Sequence, residues 1–295
     1  MDTRSTALTN NDKYVNDLLH QSQDSKGKLL RSKLLIGLCD IINNPKTKPD
    51  SLAVLVEYIH NASILHDDVI DNNTTRRGKS SFNILKDNKT AILAGDYLLA
   101  HTIMEATAFD DINIIKSLSN CVLSMTKGEL IQSKLKSFEI ETYTEVIANK
   151  TGSLFGTCFE LAGLLTNQSV EIVDKLKNIG LGIGKIYQML DDIEDLLQEP
   201  EETSDLHCKV VTLPIILVHT MATKSEKKIL QRYYISKKMN KGDYVFIKDV
   251  CNKYDNKAIS KKYMNHEIQE VVTQITSLSY GTKILALLQS IHKFV

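Results

Sequence analysis

Proline restricts this chain more than any other residue. It occurs four times, at Pro45, Pro49, Pro200 and Pro214, and never between Pro49 and Pro200. Its ring fixes φ and removes a backbone donor, so it interrupts helices. A long proline-free stretch rich in Leu, Ile, Lys and Glu suits them instead. The apolar spacing agrees. Leu52, Leu55, Val56, Ile59, Ala62, Leu65 and Val69 step by three and four. That is one face of a helix starting near a cap at Asp50 or Ser51 and reaching Asp71. Ile172, Val173, Leu176, Ile179, Ile183, Ile186, Leu190 and Leu197 form a second such face, with Pro200 just past its end. Further helices are expected over about 83–109, 111–136 and 141–166, and the chain after Pro214 again reads helix by helix. No run of alternating strand residues appears. The expected fold is all-α, a bundle of long helices.

At 295 residues the chain is near the size where a single core stops growing. No stretch is rich in Pro, Gly or Ser, so one domain over residues 1–295 is expected. Basic and acidic residues balance at 36 each, which argues against a general nucleic-acid binder but not against a local basic pocket. Cys39, Cys121, Cys158, Cys208 and Cys251 are scattered singly, as reduced thiols of a cytosol would be. The opening MDTRSTALTNNDKY lacks the apolar core of a secretory signal. No apolar run approaches the roughly 18 residues of a membrane span. A soluble, cytoplasmic protein is the expectation.

Residues 63–79, SILHDDVIDNNTTRRGK, carry the chemistry. Asp67 and Asp71 are i and i+4, neighbours on one helix face, with Asp68 beside them. The second long helix ends alike, in Asp191, Asp192, Ile193, Glu194 and Asp195. Helix C-termini already carry partial negative charge, so acids there are doubly disfavoured. One such cluster could be a solvated helix end; two in equivalent settings point to hard cations held between them. All the ligands are oxygens and no Cys or His has zinc spacing nearby, which points to magnesium. Magnesium commonly binds a few carboxylates together with substrate phosphates, so a phosphorylated substrate is expected. Arg76 and Arg77 follow at once, and guanidinium forks match phosphate oxygens. Lys28 and Arg31 share a helix face at i and i+3, and His60 lies two turns before Asp67. Gly180-Leu181-Gly182-Ile183-Gly184-Lys185 looks like a nucleotide loop, but it lies inside a helical period with no strand before it. Those glycines are expected to allow close helix packing or to leave room for a ligand.

The stretches GKLLR (27–31), HNASILHDDVID (60–71), RRGK (76–79), LAGDYLL (93–99), GELIQ (128–132), KTGSLFG (150–156), YQMLDDIED (187–195) and TLP (212–214) occur in one order. By them the chain resembles the trans-isoprenyl (polyprenyl) diphosphate synthases. The resemblance implies antiparallel helices around a deep central cavity, usually in a homodimer, with three magnesium ions per site. It implies that Asp67, Asp71 and Asp191 bind magnesium directly, and that Asp68, Asp192 and Asp195 support them. It assigns Arg76, Lys150 and Gln188 to an allylic diphosphate, and Lys28, Arg31, His60 and Arg77 to isopentenyl diphosphate. Thr151 would line the reacting centre. Bulky residues four or five places before the first aspartate stop chain growth in this family. Here Ser63 and Ala62 stand there, both small, which implies a product of twenty carbons or more, long-chain or geranylgeranyl. Leu29 departs from the family's usual basic residue, and Val210 takes the usual place of a lysine, with Lys209 one position early. A class I terpene cyclase or a subunit of a heteromeric synthase is the competing reading. Two intact acidic motifs and the basic residues Lys28, Arg31 and His60 argue against both.

Overall fold

The computed structural model describes residues 29–42, 49–76, 78–134, 137–197, 205–235 and 241–291. Lys28 and Arg77, both assigned to isopentenyl diphosphate above, lie outside the described residues. The chain runs α1 (Leu30–Ile42), α2 (Pro49–Ile70), β1 (Thr75–Arg76), β2 (Lys79–Ser80), α3 (Phe82–Leu85), α4 (Asn88–Ala106) and α5 (Ile112–Lys134). It continues through α6 (Ile140–Ile147), a π-helical turn (Ala148–Gly152), α7 (Ser153–Leu165) and α8 (Val170–Leu197). Then come α9 (Asp205–Cys208), α10 (Leu213–Met221), α11 (Lys224–Ile235), α12 (Lys241–Lys253), α13 (Asn256–Thr276) and α14 (Gly281–Ile291). The all-α expectation holds. No helix among the described residues is long and apolar enough to cross a membrane.

Three expectations differ in detail. The second helix begins at Pro49 itself, which suits a first turn because the missing N–H would have no partner there. The expected helix 83–109 is split. Asp87 caps α4 by accepting from the Thr90 backbone N–H at 2.7 Å, and α3 stands apart as a short turn before it. The expected helix 141–166 is continuous in direction but passes through the π turn, where one extra residue shifts the side-chain register. The loop after α2 closes as a two-residue antiparallel hairpin, Thr75 opposite Ser80 and Arg76 opposite Lys79, with Gly78 at φ 74° in its turn.

α7 is the central helix, and every residue in it but Glu160 and Leu164 is buried. Glu160 is satisfied by Ser117 at 2.7 Å and Lys177 at 3.1 Å. α8 lies along α7 in the most extensive helix pair, and α1, α2, α5 and α13 close the main core around them. A smaller apolar cluster of Leu206, Ile215, Leu230, Tyr233 and Ile247 joins α9 to α12.

Small residues set the α7–α8 distance. A Cβ built on Gly180 would lie 2.6 Å from the Phe155 carbonyl and 2.8 Å from the Gly156 Cα. One on Gly184 would lie 2.6 Å from the Gly152 Cα, and one on Gly182 would meet Val271 of α13 at 2.5 Å. The glycine run therefore seats α8 between α7 and α13, the packing role expected of it. Backbone cannot retreat as a flexible side chain can, so Gly184→Ala should push α8 off the π turn. We expect that variant to lose about 1–3 kcal/mol of stability by denaturant unfolding. An unchanged midpoint would show that the helices tolerate a wider spacing.

Candidate active site

On α2 the residues Ile59, His60, Ser63, Ile64 and Asp67 share one face and line a cavity of about 490 Å³. α5 contributes Val122, Met125 and Glu129, and α8 contributes Tyr187, Gln188 and Asp191. Apolar residues such as Ile59, Val122 and Leu154 share the walls with the charged groups. A second cavity of about 330 Å³ shares Ile70, Glu129, Lys150, Thr151 and Gln188 with the first and adds Asp71, Tyr143, Asp192 and Asp205.

The first acidic motif divides its work by helical phase. Asp67 faces the large cavity and Asp71 the adjoining one. Asp68 points the other way and is buried. Its Oδ1 accepts from Arg76 Nε at 2.9 Å and Nη2 at 2.8 Å, which aims the guanidinium along the cavity wall. Asn73, just before the hairpin, donates to the Asp68 carboxylate and Asn83 of α3 donates to the Asp68 carbonyl, at 3.3 Å each. Thus Asp68 holds a cation side chain and does not line either cavity.

The π turn carries Lys150 and Thr151 into the space between the cavities. Lys150 pairs with Glu129 Oε2 at 2.5 Å and donates to Gln132 at 2.8 Å. Gly128 allows this contact: a Cβ there would lie 2.6 Å from the Lys150 backbone nitrogen. Thr151 Oγ1 donates to Gln188 Oε1 at 2.7 Å, and Gln188 Nε2 donates to Asp192 Oδ1 at 2.8 Å. Asp192 Oδ2 accepts from the Tyr143 hydroxyl at 2.7 Å. Asp195 turns away from both cavities and accepts the Asp205 backbone N–H at 3.0 Å.

The electrostatics show what the site lacks. Burial pushes the Asp67 carboxyl up to about 6, and Glu129 and Asp71 add to it against the pull of Lys150 and Arg76. Burial also raises Asp71 and Asp191, and it raises Asp192 to about 6 despite donors from Gln188, Tyr143 and the Leu213 backbone. Burial followed by repulsion from Asp192 and Asp195 lifts Asp205 well above the usual carboxylate range. Burial lowers the Lys150 ammonium, but Asp67 and Glu129 outweigh it and leave it raised. The smaller cavity faces Asp71, Glu129, Asp192 and Asp205 with Lys150 as the single cation among its described lining residues. An all-oxygen, anion-rich site of this kind fits hard divalent cations. Among the described residues, the one group of three His or acidic side chains with ligand atoms within 4.8 Å is His266, Glu267 and Glu270 on α13. The ligand atoms of the α2 and α8 acids are therefore not gathered within that distance.

At the far side Arg31 is half-buried against the Phe155 ring at 5.0 Å, and its Nε has no hydrogen-bond partner among the described residues. Burial lowers its pKa. A desolvated guanidinium with a free N–H beside a cavity suits an anion. His60 lines the same wall. Of the two chain-length positions, Ser63 faces the cavity, with its hydroxyl turned back to the His60 carbonyl at 2.8 Å. Ala62 is buried instead among Leu65, Phe82, Ala91, Ala94 and Leu98, away from the cavity lining. Lys209 adopts φ 58°, and its ammonium sits over the Tyr233 ring at 5.1 Å, while Val210 lines the smaller cavity. Sequence reasoning gave no role to Glu129, Gln132, Tyr143 or Asp205. GELIQ marked the first two only as a matching string, and no periodicity links Tyr143 to Asp192.

The Polyprenyl synthetase family model matches residues 12–251. A prenyl transferase of Cyanidium caldarium is 32% identical over 200 residues, 65% of this chain and 62% of that one. The match thus spans less than two thirds of that relative. The geranylgeranyl diphosphate synthase of Saccharolobus solfataricus is 30% identical over 269 residues, 83% of this chain and 79% of that protein. Among solved structures, the octaprenyl pyrophosphate synthase of Helicobacter pylori superposes with a TM-score of 0.81 at 25% identity, covering 94% of this chain and 92% of that one.

The raised Asp67 makes a pH prediction. A carboxyl whose folded pKa of about 6 exceeds its ordinary 3.8 binds its proton more readily when folded. It therefore costs stability as pH rises through that interval, and the cost persists above it. The metal-free Asp67→Asn variant should be more stable than the parent at pH 7 by about 1–3 kcal/mol, the gain vanishing near pH 4. Denaturant midpoints at both pH values check this; a gain equal at both would show that the charge is not the cause.

Proposed function

This chain belongs to the polyprenyl synthetase family, and on that premise we propose that it is a magnesium-dependent trans-prenyltransferase. It would join an allylic diphosphate to isopentenyl diphosphate by head-to-tail elongation. One observation carries the reading: acids from α2 and α8 line a single cavity together with the basic side chains of Arg31, Arg76 and Lys150 and with apolar residues such as Ile59, Val122 and Leu154. Arg76 and Lys150, each oriented by an acid, would take the allylic diphosphate, with Gln188 beside them. Arg31 and His60 would take isopentenyl diphosphate, together with Lys28 and Arg77. Asp67, Asp71 and Asp191 would hold magnesium ions, three per site, with Asp192 and Asp195 behind them. Bound magnesium would neutralise charge developing on the leaving diphosphate.

The allylic C–O bond breaks with its electron pair leaving on pyrophosphate. The resulting allylic cation is attacked by the double bond of isopentenyl diphosphate, and a proton lost from the adduct goes to pyrophosphate. Thr151 and Gln188, which line the cavity, would place oxygens beside the reacting carbon, and its apolar residues would exclude water that would quench the cation.

The product is twenty carbons or more, and the long-chain reading is preferred. Ile59, Ser63 and Asp67 are stacked along α2, so the lined face runs about 12 Å down from the acids, without an aromatic on α2 to block it. A homodimer would cover the exposed face formed by Leu93, Tyr97 and Met104 on α4 with Leu123 and Leu130 on α5. Cys39, Cys121, Cys158 and Cys251 are buried free thiols, in keeping with the cytoplasm.

The test mixes purified protein with magnesium, isopentenyl diphosphate and farnesyl diphosphate, and sizes the products by mass spectrometry. Products well beyond twenty carbons are expected. A stop at twenty would favour geranylgeranyl synthesis, cyclic hydrocarbon would favour a cyclase, and no product with any primer would favour a subunit needing a partner. Ser63→Phe should shorten the product by blocking the cavity one turn below Asp67. An unchanged product distribution would remove Ser63 from chain-length control.

A further inference from the structure

We propose that Tyr143 is a positioning residue that sets the direction of the Thr151 hydroxyl at the reacting centre, acting through Asp192 and Gln188. The proposal rests on the reading above. It begins with a buried carboxylate: Asp192 is 3% exposed, its Oδ2 accepts from Tyr143 at 2.7 Å and its Oδ1 from Gln188 at 2.8 Å, and the Leu213 backbone N–H donates to the same carboxylate. An ionised carboxylate only accepts, so both partners must donate. That orients the Gln188 amide, because the reversed amide would aim its oxygen at the carboxylate. Gln188 Oε1 is then left to accept, and it takes the Thr151 proton at 2.7 Å. Thr151 has one proton to give. With it committed to Gln188, the hydroxyl turns lone pairs toward the cavity that Thr151 and Gln188 both line. An oxygen with its lone pairs forward attracts a developing allylic cation; a hydrogen forward would repel it.

Tyr143 anchors the far end. It sits on α6, two turns before Lys150, and is itself buried. Its bond reaches from α6 to α8, and the next links return from α8 to the π turn. Asp191 and Asp205 lie near Asp192 and repel it, so its donors, the side chains of Tyr143 and Gln188 and the Leu213 backbone N–H, hold its carboxylate in place. Without the phenol, Oδ2 loses its side-chain partner and the constraint on the Gln188 amide is weakened.

The test is a double-mutant cycle on kcat with Tyr143→Phe and Thr151→Val, each keeping the shape and removing one hydroxyl. Tyr143→Phe should lower kcat by roughly tenfold or more, with both KM values moving less than about threefold. In the Thr151→Val background the same change should cost less than about twofold. In Thr151→Ser, which keeps the hydroxyl, it should cost as much as in the parent. An equal cost in the parent and in Thr151→Val overturns the proposal, as does a Tyr143→Phe variant that fails to fold, which would make the tyrosine purely structural. If the parent makes no product from any allylic diphosphate, the proposed function fails by itself. The same cycle read as denaturant midpoints then decides the relay: non-additive shifts support it, and additive shifts overturn it.

Discussion

The close seat of α8 against α7 and the π turn is the constraint from which the site follows. Gly180 and Gly184 bring the α8 backbone against Gly156 and Gly152. Only at that spacing can Gln188 reach Thr151, and only then does Asp191 stand over the same cavity as Asp67. The π turn supplies the other half. Its extra residue re-aims Lys150 and Thr151 without breaking the helix that carries them. A regular α-helix from 140 to 165 would present a different face at those positions.

The second constraint is charge. The acids at the cavity mouth are more numerous than the cations that face them, and burial holds several above their ordinary pKa. Such an arrangement lowers the stability of the unliganded chain, and any cation bound among these acids would relieve that cost. The basic residues do not simply neutralise this field. Arg76 is fixed by Asp68, and Lys150 by Glu129 and Gln132, so each is oriented before any ligand arrives. Preorganised dipoles of this kind need no rearrangement when charge develops on a leaving group.

Much of this was legible in one sequence. The proline-free stretch and the three-and-four spacing located the long helices, and the repeated Asp-Asp-x-x-Asp located both acidic ends. Helical period also implied that Asp67 and Asp68 could not face the same way, since neighbouring residues on a helix diverge by about 100°. Which of them would face the cavity was not implied. Ala62 and Ser63 repeat the lesson one turn earlier: adjacent positions, of which Ser63 meets the cavity and Ala62 meets α4.

The sequence by itself determined the helices, the relative phase of residues along each one, and the kinds of groups that meet at their ends. Only the tertiary structure decided how each helix is rotated about its axis, and so which acids face the cavities, which brace, and which tyrosine reaches Asp192. The reason is that phase along a helix is a local property of backbone geometry. Rotation is settled by contacts between distant segments, here glycine backbones on α7, α8 and the π turn, whose mutual fit no single stretch of chain contains.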